Sequence, residues 1–222
     1  MGEFVHLTAL PVADPAIVAD AITRFAAGHG VGSRIVTAGT ATTKDIAVVV
    51  PPRDGWLVVD WPRYAGYQGT ASSWLSREFG VVASSINIYD SDMWWHVAYE
   101  SGRVADRFAS DPAYMVVEGV PESRWRGDAA VLGDLFARPP DTLASYFVNP
   151  DTFTFRLFRR FLAPYAGKVF PDDECTIDDT WVIIDFWRRL GITYPEAAPE
   201  EWSAYPAVQF LGEFPPSASN ND

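Results

Sequence analysis

The sequence predicts an α+β fold: an antiparallel sheet covered by two helices and followed by a helical C-terminal region. Three observations support this class. Short apolar segments bounded by tight turns fill residues 1–111, a pattern typical of antiparallel strands. Helical spacing of apolar residues interrupts them twice and dominates after residue 128. A chain of 222 residues, 48% of them apolar, can bury a sizeable core without disulfides.

A leading strand and two units of one helix plus three strands make up the predicted sheet domain, residues 1–111. The first helix begins at Pro15, with Asp14 as its N-cap, and ends at Gly28. The second helix covers Thr70–Phe79. This order suggests a structural pseudo-repeat within one sheet. The predicted strands are Phe4–Leu10, Ser33–Thr37, Asp45–Val50, Trp56–Asp60, Val81–Tyr89, Met93–Glu100 and Arg103–Ala109.

Residues 112–214 are interpreted as a mainly helical region packed on the sheet, and residues 215–222 as a disordered tail. Residues 112–127 have no regular pattern. Thr176 and Asp179 have the spacing of a capping box, which predicts a helix that begins near Thr176 and ends at Gly191. The other predicted helices begin near Asp128, lie around Leu143–Phe147, and cover Asp151–Leu162.

The charge balance narrows the class of partner. The chain carries 17 basic and 29 acidic residues, a net charge of −12 at pH 7. Binding to a nucleic-acid backbone needs clustered Lys and Arg, so no nucleic-acid partner is expected. A protein with a basic surface would be attracted to this chain, although the same charge also serves ordinary solubility.

Other features of the sequence favour a cytoplasmic location. Cys175 is the single cysteine and cannot form an internal disulfide, which fits a reducing compartment. No segment reaches the roughly 18 apolar residues of a membrane span. The first residues lack the basic and apolar stretches of a secretory signal. We therefore expect a cytoplasmic protein with no membrane partner.

Several turn and strand motifs of this chain resemble motifs found in another set of proteins. Residues 89–96 read Tyr-Asp-Ser-Asp-Met-Trp-Trp-His, and residues 106–112 read Asp-x-Phe-x-Ser-x-Pro. Residues 126–128, with Leu132, and 185–192 fit the same pattern. Over most of residues 4–211 the chain resembles a set of uncharacterised bacterial proteins with these motifs. The motifs concern turns and packing, so the resemblance implies no activity; proteins of this build often act as intracellular interaction or immunity-type partners.

The densest polar cluster lies at the predicted turn between the strands Val81–Tyr89 and Met93–Glu100. Asp90 and Asp92 on this turn could hold a divalent cation or position a water molecule, with His96 on the strand that follows. Asp side chains in turns also commonly accept hydrogen bonds from nearby backbone amides, which requires no ligand. Both interpretations stay open from the sequence.

Trp94 and His96 share one face of the strand Met93–Glu100, because side chains alternate along a strand. If that face meets solvent, the two form a partner-binding patch beside Asp90 and Asp92. If the C-terminal helices cover it, Trp94 and His96 belong to the core. Asp90, Asp92, Trp94 and His96 are therefore our candidate partner-binding residues.

A second charged group lies near the predicted helix that begins at Thr176. The acidic run 172–174 precedes the helix, and Asp178 and Asp179 lie in its first turn, where carboxylates interact favourably with the positive end of the helix dipole. Five arginines could bind an anion: Arg156, Arg159 and Arg160 on the predicted helix Asp151–Leu162, and Arg188 and Arg189. Pairing of these arginines with the acidic residues is the simpler interpretation.

The sequence carries no recognised catalytic signature. It has no Gly-x-Ser-x-Gly elbow, no His-x-x-x-His pair and no complete phosphate-binding glycine loop. We therefore expect a non-catalytic protein that binds another protein, of immunity or regulatory type, with no cofactor, no catalytic residue and no metal site. The alternative is a metal-assisted hydrolase that uses Asp90, Asp92 and His96.

Overall fold

Eight strands form one antiparallel sheet in the computed structural model, which describes residues 2–42, 44–63, 66–116, 120–147 and 167–215. Their order across the sheet is β2-β8-β3-β4-β1-β5-β6-β7. The sheet and its covering helices confirm the predicted α+β class. The strands are β1 (Val5–Leu10), β2 (Ser33–Thr37), β3 (Ile46–Arg53), β4 (Trp56–Asp60), β5 (Val82–Tyr89), β6 (Met93–Glu100), β7 (Arg103–Ala109) and β8 (Pro206–Phe210).

Strand β1 lies at the centre of the sheet and pairs with β4 on one side and β5 on the other. The two predicted units of one helix and three strands therefore lie on opposite sides of β1. In the second unit β5, β6 and β7 are direct neighbours. In the first unit β8 separates β2 from β3, so the two units are not equivalent.

Strand β8 was not expected from the sequence, because it comes from the C-terminal region that was interpreted as mainly helical. It pairs with β2 through Val208 opposite Ile35, and with β3 through Val208 opposite Ala47. Residues from near the end of the chain thus complete the sheet. Pro206 is tolerated because it is the first residue of the strand.

Helices α1 (Pro15–Gly28) and α2 (Gln68–Phe79) cover one face of the sheet. Asp14 caps α1 as predicted, accepting a hydrogen bond from the amide of Ala16 at 2.9 Å. Helix α2 ends at Gly80, whose φ of 62° supplies the left-handed conformation of a helix C-cap. Apolar side chains of both helices bury themselves against the odd-numbered positions of β6 and their neighbours.

Most of the C-terminal region covers the opposite face of the sheet, whereas Met115 and Trp125 pack on the face of α1 and α2. Its described helices are α3 (Pro112–Met115), α4 (Ala129–Phe136), α5 (Asp141–Ala144), α6 (Val182–Leu190) and α7 (Pro199–Ala204). Buried side chains of α4, α5 and α6 pack on β1, β5 and β6. None of these described helices, nor α1 or α2, has the length and apolarity required to cross a membrane.

Helix α6 begins at Val182 rather than near Thr176, so the predicted boundary was wrong. The residues before Val182 form consecutive turns, and Asp179 accepts a hydrogen bond from the amide of Trp181 at 2.9 Å. The predicted end is correct: Gly191 takes a φ of 80° directly after Leu190. The helix expected at Asp151–Leu162 and all of the predicted tail except Pro215 lie outside the described residues.

Candidate protein-binding surface

Trp94 and His96 lie in the core of the protein, beneath helix α6. Their exposed fractions are 3% and 0%. The ring of Phe186 on α6 lies 5.6 Å from the ring of Trp94 and 5.0 Å from that of His96. Of the two alternatives for this strand face, the covered one is correct, because both faces of β6 are packed against helices. These two residues therefore present no surface to a partner in this structure.

His96 belongs to a buried polar network that joins the sheet to α6. Its Nε2 atom lies 2.9 Å from the hydroxyl oxygen of Ser84, which also accepts a hydrogen bond from the indole N–H of Trp187 at 2.9 Å. Burial lowers the pKa of His96 to about 3, so the imidazole is neutral at physiological pH. A serine next to a histidine can act as a nucleophile, but this pair has no access to solvent.

Asp90 and Asp92 lie on the exposed turn between β5 and β6. Asp90 and Ser91 have φ values of 51° and 59°, the pair of positive angles that defines a tight hairpin turn of type I′. The amide of Asp92 donates to the carbonyl of Tyr89 at 2.9 Å and closes the turn. Strands β5 and β6, which the turn connects, are paired from Tyr89 opposite Met93 onward. The turn therefore presents both carboxylates from a well-defined backbone.

The residues of the hydrolase alternative are not brought together. Asp90 and Asp92 lie on the surface, whereas His96 is buried four residues along β6, roughly 13 Å from Asp92 at the rise of a strand. Within the described ranges, no group of three His, Cys, Asp or Glu side chains is placed to hold a metal ion. The structure thus offers this set of three residues no shared site.

An N-terminal segment lies across the turn and fixes it further. The amide of Glu3 donates to the hydroxyl of Ser91 at 2.9 Å, and the amide of Ser91 donates to the carbonyl of Glu3 at 3.1 Å. The carboxylate of Glu3 accepts a hydrogen bond from the indole N–H of Trp181 at 2.7 Å. Gly2 packs against Asp90 so closely that a Cβ atom there would collide with it. The segment links the turn to the residues before α6.

Exposed aromatic side chains lie beside the turn. Tyr89 and Tyr114 are 38% and 41% exposed, and their ring centroids are 5.5 Å apart. The ring of Phe4 meets that of Tyr89 edge to face at 5.1 Å. Large apolar side chains that cluster at the surface commonly mark protein-binding sites. We call Phe4, Tyr89, Asp90, Asp92 and Tyr114 the turn surface.

A shallow acidic cleft of about 360 Å³ borders the turn surface on its other side. Ser91 forms one wall, and the residues before α6 form the other. Together with Glu3, Asp90 and Asp92, the cleft makes this end of the sheet strongly acidic. The residues that line the cleft are Ser91, Thr176, Asp178, Asp179, Thr180 and Trp181.

The second charged group proves to be a structural network. Asp173, whose side chain is fully buried, accepts hydrogen bonds from the hydroxyl of Tyr146 at 2.8 Å and from the amide of Phe170 at 2.9 Å. Arg188 and Arg189 both contact Asp173, and Arg189 also pairs with Asp172. The predicted pairing with the acidic run is confirmed for Arg188 and Arg189, whereas Arg156, Arg159 and Arg160 lie outside the described residues. This pairing ties the loop before α6 to the helix.

Sequence reasoning missed Tyr89 and Tyr114 as surface residues. Tyr89 ends a strand whose preceding side chains are buried, and Tyr114 lies in the segment 112–127 without regular pattern. Their contact joins residues 25 positions apart that no short-range spacing relates. The feature of the sequence that could have identified Tyr89 is its position directly before the turn, since the last side chain before a hairpin turn is often half exposed to solvent.

Comparison of the chain with protein-family models, with curated proteins and with solved structures finds no significant match.

Proposed function

We propose that the protein is a non-catalytic, cytoplasmic protein that binds another protein through the turn surface. The observation that carries this proposal is the pair Tyr89 and Tyr114, exposed and in contact beside the turn between β5 and β6. Binding energy at protein interfaces concentrates in a few such aromatic residues, and truncating one typically costs about 2 kcal/mol or more.

The charge around the aromatic pair defines the partner. Asp90 and Asp92 follow Tyr89 in the turn, and the hairpin from Val82 to Glu100 contains no Lys or Arg. The chain as a whole carries a net charge of −12. Charge complementarity speeds association and rejects partners of the same sign. We infer that the partner presents a basic surface with an apolar centre.

If the protein covers a basic surface of its partner, the usual role of such surfaces indicates what the binding does to the partner. Basic surfaces commonly bind phosphate groups, substrates or acidic partners, and a small acidic protein that covers one competes with them. The proposed role is therefore inhibitory or regulatory, of the immunity type. The resemblance to bacterial proteins that share the turn and strand motifs agrees with this role by analogy. The single cysteine, unpaired in the structure, suits a reducing compartment.

The turn surface is tested by affinity capture from an extract of the producing cell. The double variant Tyr89→Ser/Tyr114→Ser removes the aromatic pair. The control Ile17→Ser/Leu211→Ser removes two other exposed apolar side chains, 49% and 60% exposed, on the opposite half of the sheet.

We expect wild type and control to capture the same basic protein, and the Tyr89/Tyr114 variant to capture at least tenfold less. Melting temperatures should agree among all three. Equal capture by wild type and the Tyr89/Tyr114 variant, or the capture of no basic protein by wild type, would contradict the proposal.

A further inference from the structure

A small cavity of about 120 Å³ lies far from the turn surface, between the β3–β4 hairpin and the segment 193–196. Val50 and Val58 form its buried floor. Two hydrogen bonds hold the hairpin to the segment: the hydroxyl of Thr193 donates to the carboxylate of Asp54 at 2.7 Å, and Arg53 donates to the carbonyl of Glu196 at 3.4 Å. The walls of the cavity are therefore fixed to each other.

Side chains that contain rings line the sides of this cavity. The indole of Trp56 and the phenol of Tyr205 provide two aromatic surfaces, and Pro51, Pro52 and Pro195 provide three pyrrolidine rings. Trp56 is held in place by stacking on Phe136, with ring centroids 5.7 Å apart. An apolar cavity of about 150 Å³ is large enough to bind benzene. At about 120 Å³ this cavity is smaller than that and its lining is polar as well as apolar, so a six-membered ring fits by entering from the open side, where it meets the aromatic and proline walls.

Two opposite charges lie at its rim. Arg53 and Glu196 are both exposed, and both line the cavity. Arg53 forms no ion pair with the described residues; it donates the long hydrogen bond to the Glu196 carbonyl instead. In a chain with a net charge of −12, an arginine without a carboxylate partner is available to an anionic group.

We propose that this cavity binds a free amino acid with an aromatic side chain. The ring occupies the space between Trp56 and Tyr205, the α-carboxylate pairs with Arg53, and the α-ammonium pairs with Glu196. Such a ligand uses the apolar floor and both rim charges, whereas a purely apolar ligand leaves the charges unused. This site is independent of the proposed protein-binding role, because the two lie at different ends of the sheet.

The test titrates three probes into the full chain and follows the methyl signals of Val50 and Val58 and the indole signal of Trp56 by NMR. L-Phenylalanine has both head-group charges, 3-phenylpropionate lacks the ammonium group, and phenethylamine lacks the carboxylate. We expect saturable binding of L-phenylalanine with a Kd of about 1 mM, as a ligand of this size allows. Each of the other two probes should bind at least fivefold more weakly.

Charge variants assign the two rim residues separately. Arg53→Gln should weaken L-phenylalanine and 3-phenylpropionate at least fivefold and leave phenethylamine unchanged. Glu196→Gln should weaken L-phenylalanine and phenethylamine instead. The control Arg103→Gln removes an equal charge from the edge strand β7 and should change none of the three.

The proposal is overturned if L-phenylalanine causes no saturable shift at Val50, Val58 or Trp56. It is overturned equally if the three probes bind alike, or if Arg53→Gln has no more effect than Arg103→Gln.

Discussion

The indole N–H of Trp187 donates a hydrogen bond of 2.9 Å to the hydroxyl of Ser84, and so fixes helix α6 on the middle of the sheet. The same hydroxyl meets Nε2 of His96 on the neighbouring strand. Both Trp187 and Ser84 are fully buried, so neither can exchange its partner for water. This contact sets the position of the helix that hides His96 and Trp94.

Replacing Trp187 by Phe should destabilise the protein, because the hydroxyl of Ser84 loses its donor in a site that water does not reach. We expect the free energy of unfolding to fall by about 1–3 kcal/mol in urea titrations. The control is Trp202→Phe on α7, a partly exposed indole, which should cost clearly less. Equal losses for the two variants would contradict the importance of this contact.

Because of the network around Asp173, substituting this residue should destabilise the protein much more than substituting its neighbour Asp172. The side chain of Asp173 is fully buried, whereas that of Asp172 is 64% exposed. Asp173→Asn removes the buried carboxylate that Arg188 and Arg189 share. Because Arg188 still pairs with Asp185 and Arg189 with Asp172, we expect a cost of about 1–3 kcal/mol. Asp172→Asn should cost clearly less, because its ion pair with Arg189 is open to solvent. Thermal or urea unfolding measures both, and similar costs would refute the assignment.

Much of this architecture could be predicted from the sequence, because its signals are local. The strands β2, β4, β6 and β7 have the predicted bounds, since alternation and turn residues mark both of their ends. The helix α1 follows from its Asp-Pro start, and the ends of α2 and α6 follow from Gly80 and Gly191.

The rest depended on contacts between distant residues. Strand β8 has five residues and begins with a proline, and its neighbours β2 and β3 lie more than 150 positions earlier in the chain. Which face of β6 would be covered could not be decided either, because both faces carry apolar side chains. Of the four candidate residues, Asp90 and Asp92 lie on the surface and Trp94 and His96 are buried. The exposed aromatic residues near this turn are Tyr89 and Tyr114.

The buried carboxyl group of Asp106 should make the stability of the protein depend on pH. One of its carboxylate oxygens accepts the amide of Asp128 at 2.8 Å, and the other is buried with no partner among the described residues. Burial raises its pKa to about 6. The folded state therefore holds a proton that the unfolded state releases between about pH 4 and 6, so this group lowers stability as pH rises through that range.

The variant Asp106→Asn removes the titration and keeps an oxygen for the Asp128 amide. The free energy of unfolding of this variant minus that of wild type should be near zero at pH 4 and should rise to about 1–3 kcal/mol above pH 6. Urea unfolding at several pH values measures this difference. A difference that does not change with pH, or that falls as pH rises, would be inconsistent with the buried carboxylate.

Glu3 should hold the turn surface in shape through its bond to Trp181. In Glu3→Ala the indole N–H of Trp181 loses its acceptor, so its hydrogen exchange with solvent should accelerate at least tenfold. Glu3→Gln keeps an oxygen at the same position and should exchange nearly as slowly as wild type. Because Glu3 is exposed, the global stability of both variants should change by less than about 1 kcal/mol. Exchange that is equal in both variants would exclude this positioning role.

The most direct measurement of the central claim is site-specific cross-linking in the producing cell. A photoreactive phenylalanine derivative is incorporated at Tyr89 in the turn surface, and at Ile17 on α1 as an equally exposed control. The account predicts that Tyr89 cross-links a single basic protein, that Ile17 does not, and that adding Asp90→Asn and Asp92→Asn reduces the yield severalfold. Cross-linking of the same proteins from both positions, or of no protein from Tyr89, would contradict it.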